Sequence, residues 1–529
     1  MNRKFAANIK RIVVGIVTVI GLTIFGYLTW YSFRFTYNFI PEYSELFDIE
    51  KDNLFLHCIT LVICILSLSF FGNIGKDVSE NTKLKAEKFV LIFAMLSMTI
   101  AGILWVSVVH AQPCTDQRWV VEGACSLMDG DYRILEPDQY FGTYTYQLCL
   151  AVIFRFLFTI SGVRDYHIIQ YCNVLCIPVI VLAGYKIVKN LGGRSKSGIF
   201  YCLLIMTCFP LLLYTPFVYG EIFSVMAGMV FVWGLMAFVR GRQKKWMPLV
   251  VVSAVFGVLT RGNFWIVIIA ACIILMLCGL WRKNGAMLLL MLLIVVMPIC
   301  MKNGIELIYE QRSGLRLDQG TPFISTIAMG VHDEGNQPAG WSNLHDYYAY
   351  ALNDCDREKA AEFSKEYLRI RMAAFREGSA DWKAFYKEKL LTQWEEPTWQ
   401  SLLANHDFAE EPGEVVNSIY YGNLKNILLG FLNEYQWLLY VGVCLFFWYC
   451  FIKKVPFYML LPEIILIGGV LFSLLWEAKT RYSFPYMIYM LPCMSIGLVE
   501  VSEMIFDKIQ KNRKWKIKKK DEILGEKMA

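Results

Sequence analysis

The stretch "AQPCTDQRWVVEGA", Ala111 to Ala124, sets Asp116 a few residues beyond a long apolar run. A carboxylate held beside apolar surface can serve as a general base toward a hydroxyl; the plainer alternative is a solvated loop acid. Comparable polar groups recur at the ends of other apolar runs. "YTPFVYGE" ends on Glu221, "TRGN" carries Arg261, and "WEAKTRYSFP" carries Glu477, Lys479, Arg481 and Tyr482. Guanidinium groups suit a phosphate, which they grip with two parallel hydrogen bonds. Lys302 and Lys479, each taken alone, are better explained as snorkelling at span ends. The six His are scattered, and His110 and His332 read as structural or incidental. No CxxC and no Cys/His metal spacing appears, so no metal site is expected.

These groups must be positioned by membrane-spanning helices. The 529 residues are 56% hydrophobic and only 18% charged, with a mean hydropathy of +0.44, and a soluble domain would carry roughly a quarter charged residues. Spans are expected at 12–32, 54–73, 89–110, 168–188, 198–217, 221–239, 247–261, 263–281, 286–301, 434–451, 456–475 and 484–500, about twelve helices. The first is too long for a signal peptide and lacks a cleavage site. Basic clusters at the N-terminus, Lys83–Lys88, Lys186–Lys196, Arg240–Lys245, Trp281–Gly285, Ile452–Lys454 and the tail Lys508–Lys520 put both termini in the cytoplasm. The net charge of +6 comes mainly from that tail, which fits anionic lipid and not nucleic acid. Cysteines lie mostly in apolar runs as small hydrophobes; Cys114 and Cys125 are either a pair or two free thiols.

Tyr146 to Gly162 breaks the count. It is short, with Arg155 at its middle, a costly residue in lipid. It reads as a helix at the outer interface or dipping partway in, the alternative being a tilted span. The expected organisation is two extra N-terminal helices and a cytoplasmic loop (1–88), a transmembrane module (89–301) with an outside loop at 111–146, an extracytoplasmic subdomain (302–433), C-terminal helices (434–506) and the basic tail (507–529). Within 302–433, helices are expected over Arg357–Arg376 and Asp381–Trp394, with Ser379 as N-cap and Pro397 as stop. Trp341, Trp394 and Trp399 could stack on sugar faces or belong to an interfacial belt.

The motifs "PCTDQRWVVEGACSLMDGDY", "YFGTYTYQ", "LYTPFVYGE", "KLLTQWEEPTWQS" and "LLWEAKTRYSFP", taken in order over residues 89–500, resemble the GT-C class of membrane glycosyltransferases. Within it they are similar to the family-39-like group of protein O-mannosyltransferases and aminoarabinose transferases, in a bacterial form. The resemblance implies an all-α polytopic bundle. It implies transfer of one sugar, with inversion, from a polyprenyl-phosphate carrier to a glycan, lipid or protein acceptor outside the cell membrane. By position, Asp116 would be the base and Glu221 the second acid. Family members often show two adjacent acids in the first loop, whereas Asp116 is followed by Gln117, which leaves Glu122 and Asp131 as rival second acids. Arg118, Arg261, Glu477, Arg481 and Tyr482 form the candidate substrate-binding set. No metal or other cofactor is expected beside the lipid-linked donor. Two other readings remain: a ligase or polymerase using a lipid-diphosphate donor, and a transporter or flippase. A transporter would favour internal repeats and ionisable groups near the midplane, and neither is evident.

Overall fold

The computed structural model describes residues 3–40, 45–74, 78–282, 284–317, 320–333, 337–504 and 506. The expected basic tail lies outside them. Among the described residues nine helices are long and apolar enough to cross a membrane: Lys10–Ser32, Glu80–Val109, His167–Asn190, Glu221–Gly241, Gly262–Gly279, Gly285–Ser313, Asn423–Lys453, Phe457–Leu475 and Phe484–Met504. The chain is an all-α polytopic membrane protein with one small hairpin. Burial ranks the helices. Phe484–Met504 is 94% buried over its most apolar window and Glu221–Gly241 is 83% buried, against 22% for Gly285–Ser313. The first two form the bundle's centre, and the outer helices turn apolar faces such as Phe89, Ile92, Phe93, Leu96 and Ile100 outward, as lipid contact requires.

Two expected spans are shorter than a bilayer. The helix overlapping 198–217 is Ser195–Met206, of 12 residues, and that within 247–261 is Met247–Thr260, of 14. Hydropathy cannot register the backbone break in "TCFPLLLYTPFVYGE", where Pro210 and Pro216 withhold the N–H a continuous helix needs. The chain after Met206 instead folds as a short helix, Phe209–Leu213, and an irregular run that delivers Glu221. Leu54–Ile74 has a span's length, 21 residues, with its side chains described as far as Leu68.

The Tyr146–Gly162 segment forms the helix Leu148–Ser161, of 14 residues. It is about 21 Å long at 1.5 Å per residue and so falls short of a ~30 Å hydrocarbon core. It meets the preceding Arg133–Thr143 segment at a bend of 103°. Arg155 does not face lipid unanswered, because its Nη1 donates to the Tyr309 hydroxyl at 2.5 Å.

The sequence gives no sign of the antiparallel hairpin that lies between the first two helices. Phe35–Phe39 pairs with Phe47–Lys51, in register from Phe35–Lys51 to Phe39–Phe47. Its aromatic and β-branched residues suit a strand, and Phe39 and Phe47 pack against Trp341 with ring centroids 6.1 and 5.3 Å apart. The 302–433 region is helical, as expected, with Arg357–Glu377 and Trp382–Trp394. The second helix is capped by Asp381, which accepts from Lys383 N and Ala384 N, and not by Ser379. The helices Gly285–Ser313 and Asn423–Lys453 run on into this region.

Candidate active site

Asp116 and Glu221 occupy equivalent places, each the first residue of a helix, Asp116–Asp129 and Glu221–Gly241. The partial positive charge of a helix N-terminus favours a carboxylate there. The Glu80–Val109 helix stops at His110 in the left-handed region, and the chain reverses through Thr115 at φ 48°. Gln117 then fastens the new helix. Its Oε1 accepts from Val218 N at 2.8 Å, and its Nε2 donates to Ala404 O at 3.3 Å. From the His167–Asn190 helix, Gln170 donates to Ala111 O and Pro216 O at 2.8 and 3.0 Å, and Asn173 to Thr215 O and Phe217 O at 3.1 and 2.9 Å. These buried amides satisfy backbone carbonyls that the broken helix leaves open, and they lock the Asp116 and Glu221 segments to each other.

Arg261 and Arg481 reach the same place from two further turns. Arg261 ends the Met247–Thr260 helix and lies 3.2 Å from Glu221 Oε1. Gly220 permits that approach: a Cβ there would sit 2.3 Å from Thr260 O and 2.9 Å from Arg261 Cδ. Arg481 sits in the turn Thr480–Tyr482, its Nη2 3.6 Å from Asp116 Oδ2. Both guanidinium groups lie over the same two rings. Arg261 is 4.8 Å from the Tyr219 centroid and 5.7 Å from that of Tyr482, and Arg481 is 5.6 and 5.5 Å from them. Cation–π contact of this kind steadies a charge partly removed from water. The Arg481 turn is held from behind. Gln400 Oε1 accepts from Arg481 N at 3.0 Å, and Glu396 accepts from Thr398 N, Thr398 Oγ1 and Gln400 N at 2.9, 2.6 and 2.7 Å. This bracing holds Trp399 and Gln400 at φ 50° and 64°, a conformation costly for such side chains.

Accessibility separates the acids. The Asp116 side chain is 40% exposed and that of Glu221 only 3%. Neither Glu221 oxygen makes a hydrogen bond among the described residues, so the nearby guanidinium is its main compensation. Glu477 is buried and accepts from the Tyr482 hydroxyl at 2.8 Å. Burial raises its carboxyl against the lowering pull of Lys479 and Arg481. Asp346, on the short helix His345–Ala351, is a further acid. Burial and the like charges of Glu477 and Asp116 push it up to about 7.

Six of the seven residues singled out in the sequence therefore converge: Asp116, Glu221, Arg261, Glu477, Arg481 and Tyr482. Arg118 is placed apart, its Nε bonded to Glu122 at 2.6 Å on the open side of its helix. The rival acids are paired outside the cluster, Glu122 with Arg118 and Asp131 with Arg133, the latter also at 2.6 Å. Lys302 pairs with Glu306 along its own helix and Lys479 with Glu45. Trp341, Trp394 and Trp399 are fully buried; their faces are taken up by protein packing, which leaves none for a sugar. Cys114 and Cys125 are separate thiols. Among the described residues no group of three or more His, Cys, Asp or Glu is arranged to hold a metal ion. Sequence reasoning missed Tyr219, Gln117 and Asp346. The first two lie inside motifs already noted; Asp346, in "LHDYYAY", carries no local signal.

A polytopic helical bundle with a compact acid–guanidinium–tyrosine site at one end is what the fold and the geometry define. No family model matches the chain, and no curated protein matches it in sequence. Among solved structures it aligns with the oligosaccharyltransferase AglB of Archaeoglobus fulgidus in complex with an inhibitory peptide and a dolichol-phosphate. That alignment has 13% identity and a TM-score of 0.42, over 82% of this chain and 52% of that one. A second structure of an oligosaccharyltransferase from the same organism, tethered to an acceptor peptide, aligns at 11% identity and a TM-score of 0.41, over 81% and 50%. The chain spans about half the length of each, and a likeness at that level says nothing about activity.

Proposed function

We propose that the protein is a membrane glycosyltransferase of the GT-C type, moving one sugar from a polyprenyl-phosphate carrier to an acceptor hydroxyl outside the cell membrane. The observation that carries this reading is the pair of guanidinium groups on Tyr219 and Tyr482 with the Asp116 carboxylate 3.6 Å from one of them. Two cations converging at the end of an apolar bundle suit a lipid phosphate, whose tail stays among the helices. Arg261 and Arg481 would bind it and stabilise charge that grows as it leaves. Asp116, the open acid, would take the acceptor's proton.

In the step itself, the acceptor oxygen attacks the anomeric carbon from the face opposite the phosphate. The new C–O bond forms as the bond from carbon to phosphate oxygen breaks, and the configuration inverts. The electron pair leaves with the polyprenyl phosphate, and the acceptor's proton goes to Asp116. Glu221 would hold Arg261 in place, and Glu477 would orient Tyr482. The donor and a glycan, lipid or protein acceptor are the partners of this reading, and it calls on no cofactor.

The test is purified protein in nanodiscs with undecaprenyl phosphate linked to labelled hexoses and a cell-envelope extract as acceptor. Release of undecaprenyl phosphate together with labelled acceptor is the expected result. Consumption of a diphosphate-linked oligosaccharide and of no monophosphate donor would replace this reading with that of a polymer ligase.

A further inference from the structure

Asp346 is unused by the reaction as written, yet the fold goes to some length to bring it in. Two seams dock the 302–433 region onto the site. On one side Thr321 N donates to Thr143 O at 2.8 Å. On the other, Ala478 N donates to Gly340 O at 2.7 Å, and the Trp341–Ala478 bridge runs beside Glu477. The helix His345–Ala351 lies in sequence just after the second seam. Its Asp346 is 6% exposed, and its carboxylate accepts from Tyr347 N at 2.8 Å. Among the described residues it forms no ion pair. Its surroundings are the carboxylates of Glu477 and Asp116 and the phenols of Tyr144 and Tyr146, all close enough to feel its charge.

A carboxyl this far from water, without a cation and beside two other acids, is an unfavourable arrangement unless a ligand supplies donors. The two seams, with the charges that Asp346 feels, say where that ligand would lie. Asp346 couples to Asp116, the base, and to Glu477, which is tied through Tyr482 to the two guanidinium groups. The sugar ring must occupy this side of the phosphate, because its anomeric carbon bridges the leaving phosphate oxygen and the oxygen that Asp116 deprotonates. The three acids are not disposed to share a metal ion, so the donors they face would be hydroxyls of a larger ligand.

Resting on the glycosyltransferase reading, we propose that Asp346 binds hydroxyls of the donor sugar, and that with Glu477 it makes the site select a neutral sugar over an acidic one. A carboxylate accepts from two neighbouring hydroxyls at once, and a uronic acid in the same position would bring a third or fourth negative charge into the chamber.

The experiment measures binding of four probes to purified protein in EDTA: undecaprenyl phosphate alone, and undecaprenyl phosphate carrying glucose, galactose or glucuronic acid. Wild type should bind bare undecaprenyl phosphate, and at least one neutral hexose derivative more tightly than either the bare carrier or the glucuronate. Asp346→Ala should lose roughly ten- to a hundredfold on that hexose derivative and nothing on the bare carrier. Asp346→Asn keeps the shape and should lose part of the discrimination, which preserves the test if the Ala variant folds poorly. Equal losses on bare and sugar-linked carrier, no preference for a neutral hexose in wild type, or discrimination unchanged in both variants would overturn the assignment. Failure of wild type to bind bare undecaprenyl phosphate would instead sink the phosphate site, and the proposed function with it.

Discussion

Arg481 Nη2 lies 3.6 Å from Asp116 Oδ2. The group proposed to take a proton is thus paired with a group proposed to hold phosphate. A phosphate gripping that guanidinium with two oxygens would compete with Asp116 for it.

Removing the cation should not free a better enzyme. Arg481→Ala is expected to lower kcat/KM by about a hundredfold or more, with kcat falling at least as much as donor affinity, because positive charge matters most as the phosphate leaves. Arg481→Lys should recover part, keeping the charge without the fork. Steady-state kinetics of both variants decide it, and near-normal turnover in the Ala variant would take Arg481 out of the site.

Gly220 offers a steric test of the second pair. A methyl group there meets Thr260 O at 2.3 Å, so Gly220→Ala must push the Glu221 and Arg261 turns apart. Overpacking of this kind costs about 1–3 kcal/mol. A lowered Tm together with weakened binding of undecaprenyl phosphate is the expected outcome. Unchanged phosphate binding would show that the Arg261 approach is not needed.

Gln117, beside Asp116, makes contacts that an acid could not. Its amide both accepts, from Val218 N, and donates, to Ala404 O, and a carboxylate cannot do the second. Gln117→Glu should set a buried charge against a carbonyl and destabilise the protein by roughly 1–3 kcal/mol without raising activity. Thermal unfolding and turnover of this variant check both halves.

Much of the site was legible in the sequence, because charges are rare here and their spacing against apolar runs fixes which end of the bundle they reach. That holds for Asp116, Glu221, Arg261, Glu477 and Arg481. Chemistry on irregular backbone was less legible. Tyr219 looked like one more aromatic in "YTPFVYGE" until the chain's turn after Pro216 laid its ring under two arginines. Asp346 belongs to a long polar region in which any of many acids could have faced the site, and only the two docking seams select it. The Phe35–Phe39 hairpin hid because its strands are only five residues each and the second, Phe47–Lys51, mixes two apolar residues with three charged ones. The burial of Trp341, Trp394 and Trp399 was a matter of packing partners that no local pattern encodes.

The pH dependence of stability follows from Asp346. Its folded value of about 7 lies above its ordinary 3.8, so the folded state prefers the protonated form. That contribution to stability is complete below about pH 4 and is lost as pH rises through 7. Asp346→Asn cannot ionise and should escape the loss, gaining on wild type by roughly 1–4 kcal/mol between pH 5 and pH 8. Denaturant unfolding at both pH values measures it, and a gap that stays constant with pH would contradict the burial of an unpaired carboxyl.

The most direct measurement concerns Asp116 itself. Asp116→Asn keeps size and polarity but removes the lone pair that accepts the proton. Transfer from a labelled undecaprenyl-phosphate sugar should fall by roughly 10²–10⁴-fold, while binding of undecaprenyl phosphate stays within a few-fold of wild type. Asp116→Glu should recover little, since one added methylene moves the carboxylate out of productive reach. Normal turnover in the Asn variant would contradict the account, leaving Asp116 as a loop acid paired with Arg481 and the reaction without its base.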